Sequence, residues 1–318
     1  MSSTPTAAGS QTLRMPCSSA PLLAALDLRP CKPEHFDKAW SATTQYCPWP
    51  KAYGGDMVAQ AAAAAMLSTE TDRRLHSMHS YFLRPVDIGA EVRYEVELLR
   101  DGRSYSTRQV RAFQNGKPVY ALIASFQVPE EGAEFEPPAA TGIPEPETLR
   151  SSAEYLAEIE PGTPAAGTLT EPSKEYWSTG RSFDIRHVPG PVYVTVEGER
   201  TPHQATWIRA FDGLAGYSGP LDHDRLHAAA LAYVCDYTII EPTLRALGHA
   251  WADPGLTTAS LDHAMWFHRP AVVDRWLLYA QEAAGAQSGR GLGLGRFFDT
   301  DGHLIATVAQ EAMIRTGR

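Results

Sequence analysis

The sequence predicts an α+β fold made of two copies of one unit, each a helix followed by a meander of antiparallel strands. The first observation is a repeated phrase: residues 79–85 read HSYFLRP, and residues 263–270 read HAMWFHRP. The second is a pair of matched hairpin signals, Asn115-Gly116 and Asp301-Gly302, each preceding a final apolar strand. Because duplication constrains the whole architecture, we expect a site at the junction of the copies or within one of them.

Length and charge limit the classes of protein that the chain can belong to. With 318 residues, 43% of them hydrophobic, the chain is long enough for two units that each bury a core. The formal charge of −9 argues against nucleic acid or an anionic membrane surface as a main partner. The four cysteines (17, 31, 47 and 235) form no CxxC pair, so neither a zinc site nor a disulfide framework is expected.

The ends of the chain carry no recognisable address. The first 20 residues are rich in Ser and Thr and lack the charged start and apolar stretch of a secretion signal. The C-terminus reads Thr-Gly-Arg, which is not a peroxisomal tripeptide. No run of about 18 apolar residues is present, so no membrane insertion is expected. The sequence therefore predicts a cytoplasmic protein.

In the first half, residues 1–18 are predicted to be a flexible tail and residues 19–128 the first unit. Gly54-Gly55-Asp56 leads into an alanine-rich run through Met66, which predicts a turn and then a helix with Asp56 near its positive end. Alanine on every face of this helix indicates that other structure surrounds it. Alternating apolar and polar residues over 91–98 predict a strand with one solvent-exposed face. The hairpin is predicted to consist of strands over 108–113 and 118–128.

In the second half, residues 129–175 are predicted to be a proline-rich, acidic connector, and residues 176–318 the second unit. The connector is expected to contain a short helix near 155–159. Strands are predicted over 183–188, 193–196, 206–210 and 257–267, with a last strand ending near 314. A helix is predicted from about Leu226 to Ile240.

Glycines at 289, 291, 293 and 295 superficially suggest a phosphate-binding loop. Their spacing is GxGxGxG rather than GxGxxG, and no helix pattern follows. On a strand all four would share one face, which predicts a bare surface on which a helix or a ligand can lie close. The histidine pairs 223/227 and 76/79 lack a third ligand in register. We therefore expect no cofactor and no metal.

Three side chains of the second unit are candidates for chemistry. Asp236 interrupts a helix that is otherwise almost wholly apolar, so it is either a structural hub or a working base, because an unpaired buried carboxylate is costly. Gln310 points with the apolar set of the last strand and is either a core amide tied to a backbone carbonyl or a donor to an oxyanion. Ser260 alone is unremarkable, and Asp262 on the same strand face is an alternative carboxylate.

Phrases in both halves resemble the type II acyl-CoA thioesterases. In chain order they are Tyr53-Gly54-Gly55 with Gln60, HSYFLRP at 79–85, LRDGRSY at 99–105, QNGKP at 114–118, ASFQ at 124–127, Trp207-Ile-Arg209, DHAMWFHRP at 262–270 and Gln310-Glu311. The resemblance implies a double-hotdog fold, in which each of two long helices is wrapped by an antiparallel sheet. It also implies hydrolysis of acyl-CoA to a carboxylic acid and CoA by an activated water.

Matched residue by residue, the family's water-holding Asp, Thr or Ser, and Gln fall on Asp236, Ser260 and Gln310. The residues expected to bind substrate are Gly55, His79, Arg84, Arg108, Arg111 and Lys117, the cations as exposed charges for CoA phosphates. Asp56 departs from the family, which commonly has a neutral Gln there.

Two rival functions stay open on the sequence alone. A hotdog hydratase or dehydratase usually needs a His beside the Asp, and the sequence around Asp236 contains none. A catalytically silent acyl-CoA-binding or scaffold protein would bind acyl-CoA without releasing thiol. A homo-oligomer is expected, because exposed sheet edges in such folds often pair.

Overall fold

The computed structural model describes residues 17–159 and 169–317 and confirms the α+β class. The predicted tail lies almost entirely outside these residues, as do residues 160–168 of the predicted connector. The α-helices of the described residues are α1 (Ala20–Ala25), α2 (Gly54–Leu67), α3 (Ser152–Ala157), α4 (Glu171–Glu175), α5 (His223–Val234) and α6 (Glu241–Leu247).

Thirteen strands form one sheet in the described part of the chain. They are β1 (Arg29–Pro30), β2 (Lys38–Thr43), β3 (Arg74–Phe82), β4 (Glu91–Asp101), β5 (Tyr105–Gln114), β6 (Lys117–Gln127), β7 (Phe183–Val188), β8 (His203–Ala210), β9 (Thr257–Ser260), β10 (Asp262–Phe267), β11 (Leu277–Gln287), β12 (Arg290–Phe298) and β13 (Leu304–Arg315).

The strand order reflects the duplication. It runs β1-β2-β4-β5-β6-β3-β10-β13-β12-β11-β8-β7, with β9 pairing with β13 beside β10. The two copies of the repeated phrase, β3 and β10, pair antiparallel at the centre, with Met78 opposite Met265. Outward from this pair, each half continues with the last strand of its own hairpin and then its partner. One apolar core extends through both halves.

Helix α2 is enclosed as the alanine pattern predicts. Every residue from Gly55 to Met66 is buried. Strands β3 to β6 cover the helix on one side and α5 contacts it on the other. The small alanine side chains allow this close approach, so the first unit wraps its helix and presents the helix to the second unit.

Helix α5 is shorter than the sequence predicts. It ends at Val234, a 3₁₀ turn covers Cys235–Tyr237, and a separate helix, α6, begins at Glu241. Below this segment the bare glycine face of β12 lies directly against the chain, because a Cβ at Gly293 would overlap the carbonyl oxygen of Ile239. The glycine run therefore lets the chain after α5 sit on the sheet, while Gly289 lies in the turn before β12, outside that face.

Two local expectations are wrong. Residues 193–196 form no strand, and Tyr193 instead stacks on Trp177 with ring centroids 5.0 Å apart. Glu95, expected on the wet face of β4, is fully buried, because its carboxylate accepts the backbone amides of residues 34–36. In both cases long-range contacts override the local pattern.

Candidate active site

Asp236 is held where the two copies meet. It lies in the 3₁₀ turn after α5, and its carboxylate faces the first turn of α2. A Cβ added at Gly54 would lie 2.6 Å from Asp236 Oδ2, and the Gly55 amide donates a hydrogen bond to the carboxylate. The positive end of a helix from the first copy therefore stabilises an anion from the second.

Ser260 and Gln310 reach the same carboxylate from the sheet. Ser260 Oγ donates to Asp236 Oδ1 over 3.0 Å, and Gln310 Nε2 donates to the same oxygen over 2.5 Å. Gln310 Nε2 also lies 3.0 Å from Ser260 Oγ. Pairing of β9 with β13, which sets Ser260 opposite Ala312, brings the two polar side chains to neighbouring positions. The structure thus brings together the three residues expected to hold a water.

The surroundings of Asp236 tune its basicity. Burial raises the pKa of Asp236 to about 6, opposed by hydrogen bonds from Gln310, Ser260 and the Gly55 amide and by the positive charge of Lys51. Asp236 and Ser260 remain partly exposed, whereas Gln310 is buried. At neutral pH the carboxylate is therefore ionised, accessible from solvent and more basic than an ordinary aspartate.

A histidine that sequence reasoning missed completes this network. His263 lies on the inner face of β10, fully buried, and its Nδ1 is 2.7 Å from Gln310 Oε1. His263 was missed because it is 27 positions further along the chain than Asp236, and only the fold brings it to the residues that contact Asp236. The available signal was its position: it shares the apolar strand face of Met265, where a polar ring needs a partner.

Only one copy carries these polar groups. Aligning the shared Arg-Pro pairs, 84–85 with 269–270, matches Ser260 with Leu75 and His263 with Met78. Aligning the hairpin residues Gly116 and Gly302 matches Gln310 with Ala124. The three first-copy residues are buried and apolar, and Met78 pairs with Ala124 across β3 and β6. The first copy therefore has buried apolar side chains at the positions where the second copy has its polar cluster.

The two other candidate carboxylates lie in different contacts. Asp262 accepts the backbone amide of Glu311 over 2.7 Å. Asp56 is the third residue of α2, and burial raises its pKa to about 7. It accepts two hydrogen bonds of 2.8 Å from Gln45, one from the backbone amide and one from the side chain. Asp56 therefore anchors a first-copy loop to the helix.

The residues expected to bind substrate are spread over both faces of the sheet. Gly55 lies at Asp236, as described above. His79 is on the outer face of β3, edge-to-face against Trp266 with ring centroids 5.1 Å apart. The sheet therefore separates His79 from Asp236, whose partner Gln310 is on the inner face.

The cations expected to be exposed differ in their surroundings. Arg108 is only 3% exposed, and its guanidinium donates to Ser68 and Asp101, so the expectation of an exposed charge is wrong there. Arg111 lies over the ring of Phe36 at 5.3 Å. Arg84 and Lys117 are exposed.

One cluster of possible metal ligands occurs in the described residues. It consists of Glu34, His35 and Glu95. The Glu95 carboxylate already accepts backbone amides and pairs with Arg93, so its oxygens are committed to other partners. The cluster is remote in sequence from the Asp236 site. Within the described chain, no helix has both the length and the apolar character needed to cross a membrane.

The sequence also matches known protein families. Residues 178–313 match the family model for acyl-CoA thioesterase, and residues 45–127 match the model for the acyl-CoA thioesterase N-terminal domain. Acyl-CoA thioesterase 2 of Haemophilus influenzae is 36% identical over 266 residues, which cover 83% of this chain and 87% of that protein. Human acyl-coenzyme A thioesterase 8 is 34% identical over 278 residues, covering 85% and 82%.

Solved structures extend the similarity to the fold. The structure of an acyl-CoA thioesterase II from Mycobacterium marinum superposes with a TM-score of 0.70 at 29% identity and covers 92% of this chain and 98% of its own. A tesB protein from Mycobacterium avium subs paratuberculosis gives 0.71 at 28% identity, covering 94% and 100%. The chain has the double-hotdog fold and belongs to the acyl-CoA thioesterase family.

Proposed function

We propose that Asp236, Ser260 and Gln310 hold and activate the water with which this acyl-CoA thioesterase hydrolyses its substrate. The proposal is supported by one observation: Ser260 and Gln310 both donate hydrogen bonds to the carboxylate of Asp236, which is accessible to solvent. Burial raises the pKa of this carboxylate to about 6. A base of this pKa is ionised at neutral pH and accepts a proton readily.

In the proposed mechanism, Asp236 takes a proton from the water as the water oxygen attacks the thioester carbonyl. Ser260 and Gln310 orient the water and the carboxylate, which lowers the entropic cost of the attack. The tetrahedral intermediate then collapses, the C–S bond breaks, and Asp236 returns the proton to the CoA thiolate. The carboxylic acid and CoA leave, and no covalent enzyme intermediate is formed.

The start of α2 is proposed to receive the thioester carbonyl. Gly54 carries no side chain, and a Cβ there would lie 2.6 Å from Asp236 Oδ2 and block the approach to the carboxylate. The positive end of the helix is suited to stabilise the negative oxygen of the tetrahedral intermediate. Of the cations considered for CoA phosphates, we favour the exposed Arg84 and Lys117.

We also propose a cytoplasmic homo-oligomer. The four cysteines are free thiols, in keeping with a reducing compartment. Apolar side chains on the outer sheet face, Tyr81 at 61% and Ile123 at 50% exposure, are available to a second copy. Sedimentation velocity of the full chain tests the assembly, and fractionation of the host cell tests the compartment; a monomer at micromolar concentration or a secreted protein would contradict these assignments.

The decisive experiment for the mechanism is thiol release from a series of acyl-CoA chain lengths, comparing wild type with Asp236→Asn. We expect kcat to fall by about 10²- to 10⁴-fold, because the variant lacks the base, while acyl-CoA binding persists. Asp56→Asn is the matched control, since it removes a buried carboxylate from the other copy and is expected to keep wild-type kcat. Unchanged turnover in Asp236→Asn would exclude Asp236 as the base.

Thiol release and binding together also separate the rival functions. A silent acyl-CoA-binding protein would bind every member of the series without releasing thiol. A hydratase would change the absorbance of an enoyl-CoA without producing free thiol. The family membership and the position of Asp236 favour hydrolysis over both.

A further inference from the structure

His263 contacts the proposed catalytic set without facing the solvent. It is fully buried, and its ring nitrogen Nδ1 lies 2.7 Å from Gln310 Oε1. Its other ring nitrogen lies 3.5 Å from the Sγ of Cys235, which itself lies 2.9 Å from the carbonyl oxygen of Ala232. His263 therefore contacts Gln310 and Cys235 from the protein interior and does not reach the solvent-accessible side of the Asp236 carboxylate.

The first copy fixes the backbone of His263. Ser80 of β3 donates its hydroxyl to the carbonyl oxygen of His263 over 2.9 Å, and Tyr120 of β6 donates to Ser80 over 2.7 Å. All three residues are buried. Because strand pairing and this chain of hydrogen bonds hold the backbone of His263, its buried ring has little freedom to move and can define the orientation of the Gln310 amide.

The hydrogen-bond network determines which nitrogen of His263 carries the proton. An ionised carboxylate only accepts hydrogen bonds, so the end of the Gln310 amide that meets Asp236 must be its NH₂ group. The carbonyl oxygen of Gln310 then faces His263 and requires a donor there. His263 is consequently protonated on Nδ1, and because burial lowers its pKa to about 4, the ring is neutral at working pH.

We propose that His263 is a positioning residue whose Nδ1–H fixes the orientation of the Gln310 amide, so that the NH₂ group is presented to Asp236 and to the reacting water. Without this donor, only the contact with Asp236 distinguishes the two ends of the amide. A misoriented amide would set an oxygen against the Asp236 carboxylate, and the water would lose its alignment. Successive hydrogen bonds also polarise one another, which strengthens donation to Asp236.

The duplication supplies an independent argument that the imidazole serves the site. At the corresponding position the first copy has Met78, which is equally buried and pairs with Ala124. A methionine therefore fills this position of the fold. The histidine occurs in the copy in which the facing residue is Gln310, and burying its polar ring is costly unless that hydrogen bond is made.

The test compares two substitutions that differ in one hydrogen-bond donor. His263→Met introduces the residue that the first copy has at the corresponding position, Met78, and removes the N–H donor. His263→Asn places an amide N–H close to the position of Nδ1. We expect kcat to fall about 10- to 100-fold in His263→Met with little change in KM, and to be largely retained in His263→Asn.

The pH dependence gives a readout that a purely structural role would not change. In His263→Met, weaker donation from Gln310 should raise the pKa of Asp236, so the acid limb of kcat/KM moves to higher pH. The titratable groups facing Asp236 and His263 are Lys51, Tyr53, Tyr120, Cys235 and Tyr279. Burial raises the pKa of the three tyrosines and the cysteine above their usual values, so these four stay neutral across this limb.

A double-mutant cycle with Gln310→Ala decides whether His263 acts through Gln310. We expect His263→Asn and His263→Met to have the same kcat as each other once Gln310 is absent. Wild-type kcat and acid limb in His263→Met would overturn the inference, as would equal impairment of both variants with Gln310 present. If His263→Met does not fold, His263→Ala replaces it in the same comparison.

This inference rests on the proposed role of Gln310 at the reacting water, and the same assays separate the two. Wild-type turnover in Asp236→Asn would reject the proposed mechanism. An inactive Asp236→Asn together with unaffected His263 variants would reject only the positioning role.

Discussion

At the scale of single residues, a carboxylate whose pKa is about 6 combines two properties that a base needs at neutral pH. Asp236 is ionised in most molecules, yet it holds a proton more strongly than an exposed aspartate. Burial raises its pKa, while Gln310, Ser260 and the Gly55 amide keep the rise moderate. The same donors that orient the carboxylate therefore also prevent it from being neutral.

This balance predicts the pH dependence of the reaction. Only the ionised carboxylate accepts a proton, so kcat/KM should be nearly constant above about pH 7, be half-maximal near pH 6 and fall about tenfold per unit below about pH 5. Lys51→Met removes a positive charge that lowers the pKa of Asp236, so its acid limb should move to higher pH. Rates measured across pH 4.5–8, with the exposed Lys38→Met as control, check this; coincident profiles for Lys51→Met and wild type would contradict it.

At the scale of elements, the segment after α5 lies against a strand, β12, that has glycine at 291, 293 and 295 on the face towards it. Gly293 of β12 lies against the carbonyl of Ile239, three residues after Asp236. A Cβ at Gly291 would lie 2.6 Å from the side-chain Cγ2 of Thr243 in α6. The glycine strand thus determines how closely the turn that carries Asp236 approaches the sheet that carries Gln310.

Gly293→Ala should therefore impair catalysis at a distance from the reacting atoms. The new methyl group would collide with backbone, which cannot move aside as a side chain can, so the Asp236 turn must shift. We expect a loss of about 1–3 kcal/mol in unfolding free energy and at least about a tenfold fall in kcat. Gly285→Ala in β11 is the control, because its methyl would meet only the flexible side chain of Gln287; equal kcat values for the two variants would refute the argument.

At the scale of the whole molecule, the site is shared between the copies. The second copy supplies Asp236, Ser260 and Gln310, and the first supplies the start of α2 and the strand that braces β10. Meanwhile the first copy has Leu75, Met78 and Ala124 where the second has polar groups. The polar cluster around Asp236 therefore has an apolar counterpart at the corresponding positions of the first copy.

Gly54→Ala tests the contribution of the first copy. Its methyl would lie 2.6 Å from Asp236 Oδ2 and would displace the carboxylate. We expect kcat/KM to fall by about 10²-fold. The loss of stability should be small, because alanine favours a helix more than glycine does, which offsets the close contact of the methyl with the Phe82 ring at 3.1 Å. Thiol-release kinetics and thermal unfolding measure the two effects. The control is Gly216→Ala, whose methyl would meet only Leu23, at 4.0 Å. Wild-type kinetics in Gly54→Ala would show that the start of α2 does not contribute to the site.

The sequence by itself determined the duplication, the enclosed alanine helix, the hairpins and two of the three candidate catalytic residues, Asp236 and Gln310. These are local signals, since periodicity, turn residues and a polar residue on an apolar face can each be read within a few neighbours. Ser260 was identified only through the resemblance to a family, because a strand serine carries no signal of its own.

Only the tertiary structure decided what these residues contact. The end of α5 at Val234, the burial of Arg108 and Glu95, and the approach of His263 to Gln310 all depend on partners remote in the chain. Hydrogen bonds and close packing act over a few ångströms in space, and sequence spacing does not report which distant groups reach that distance. The structure therefore identified His263, which the sequence alone did not associate with Asp236.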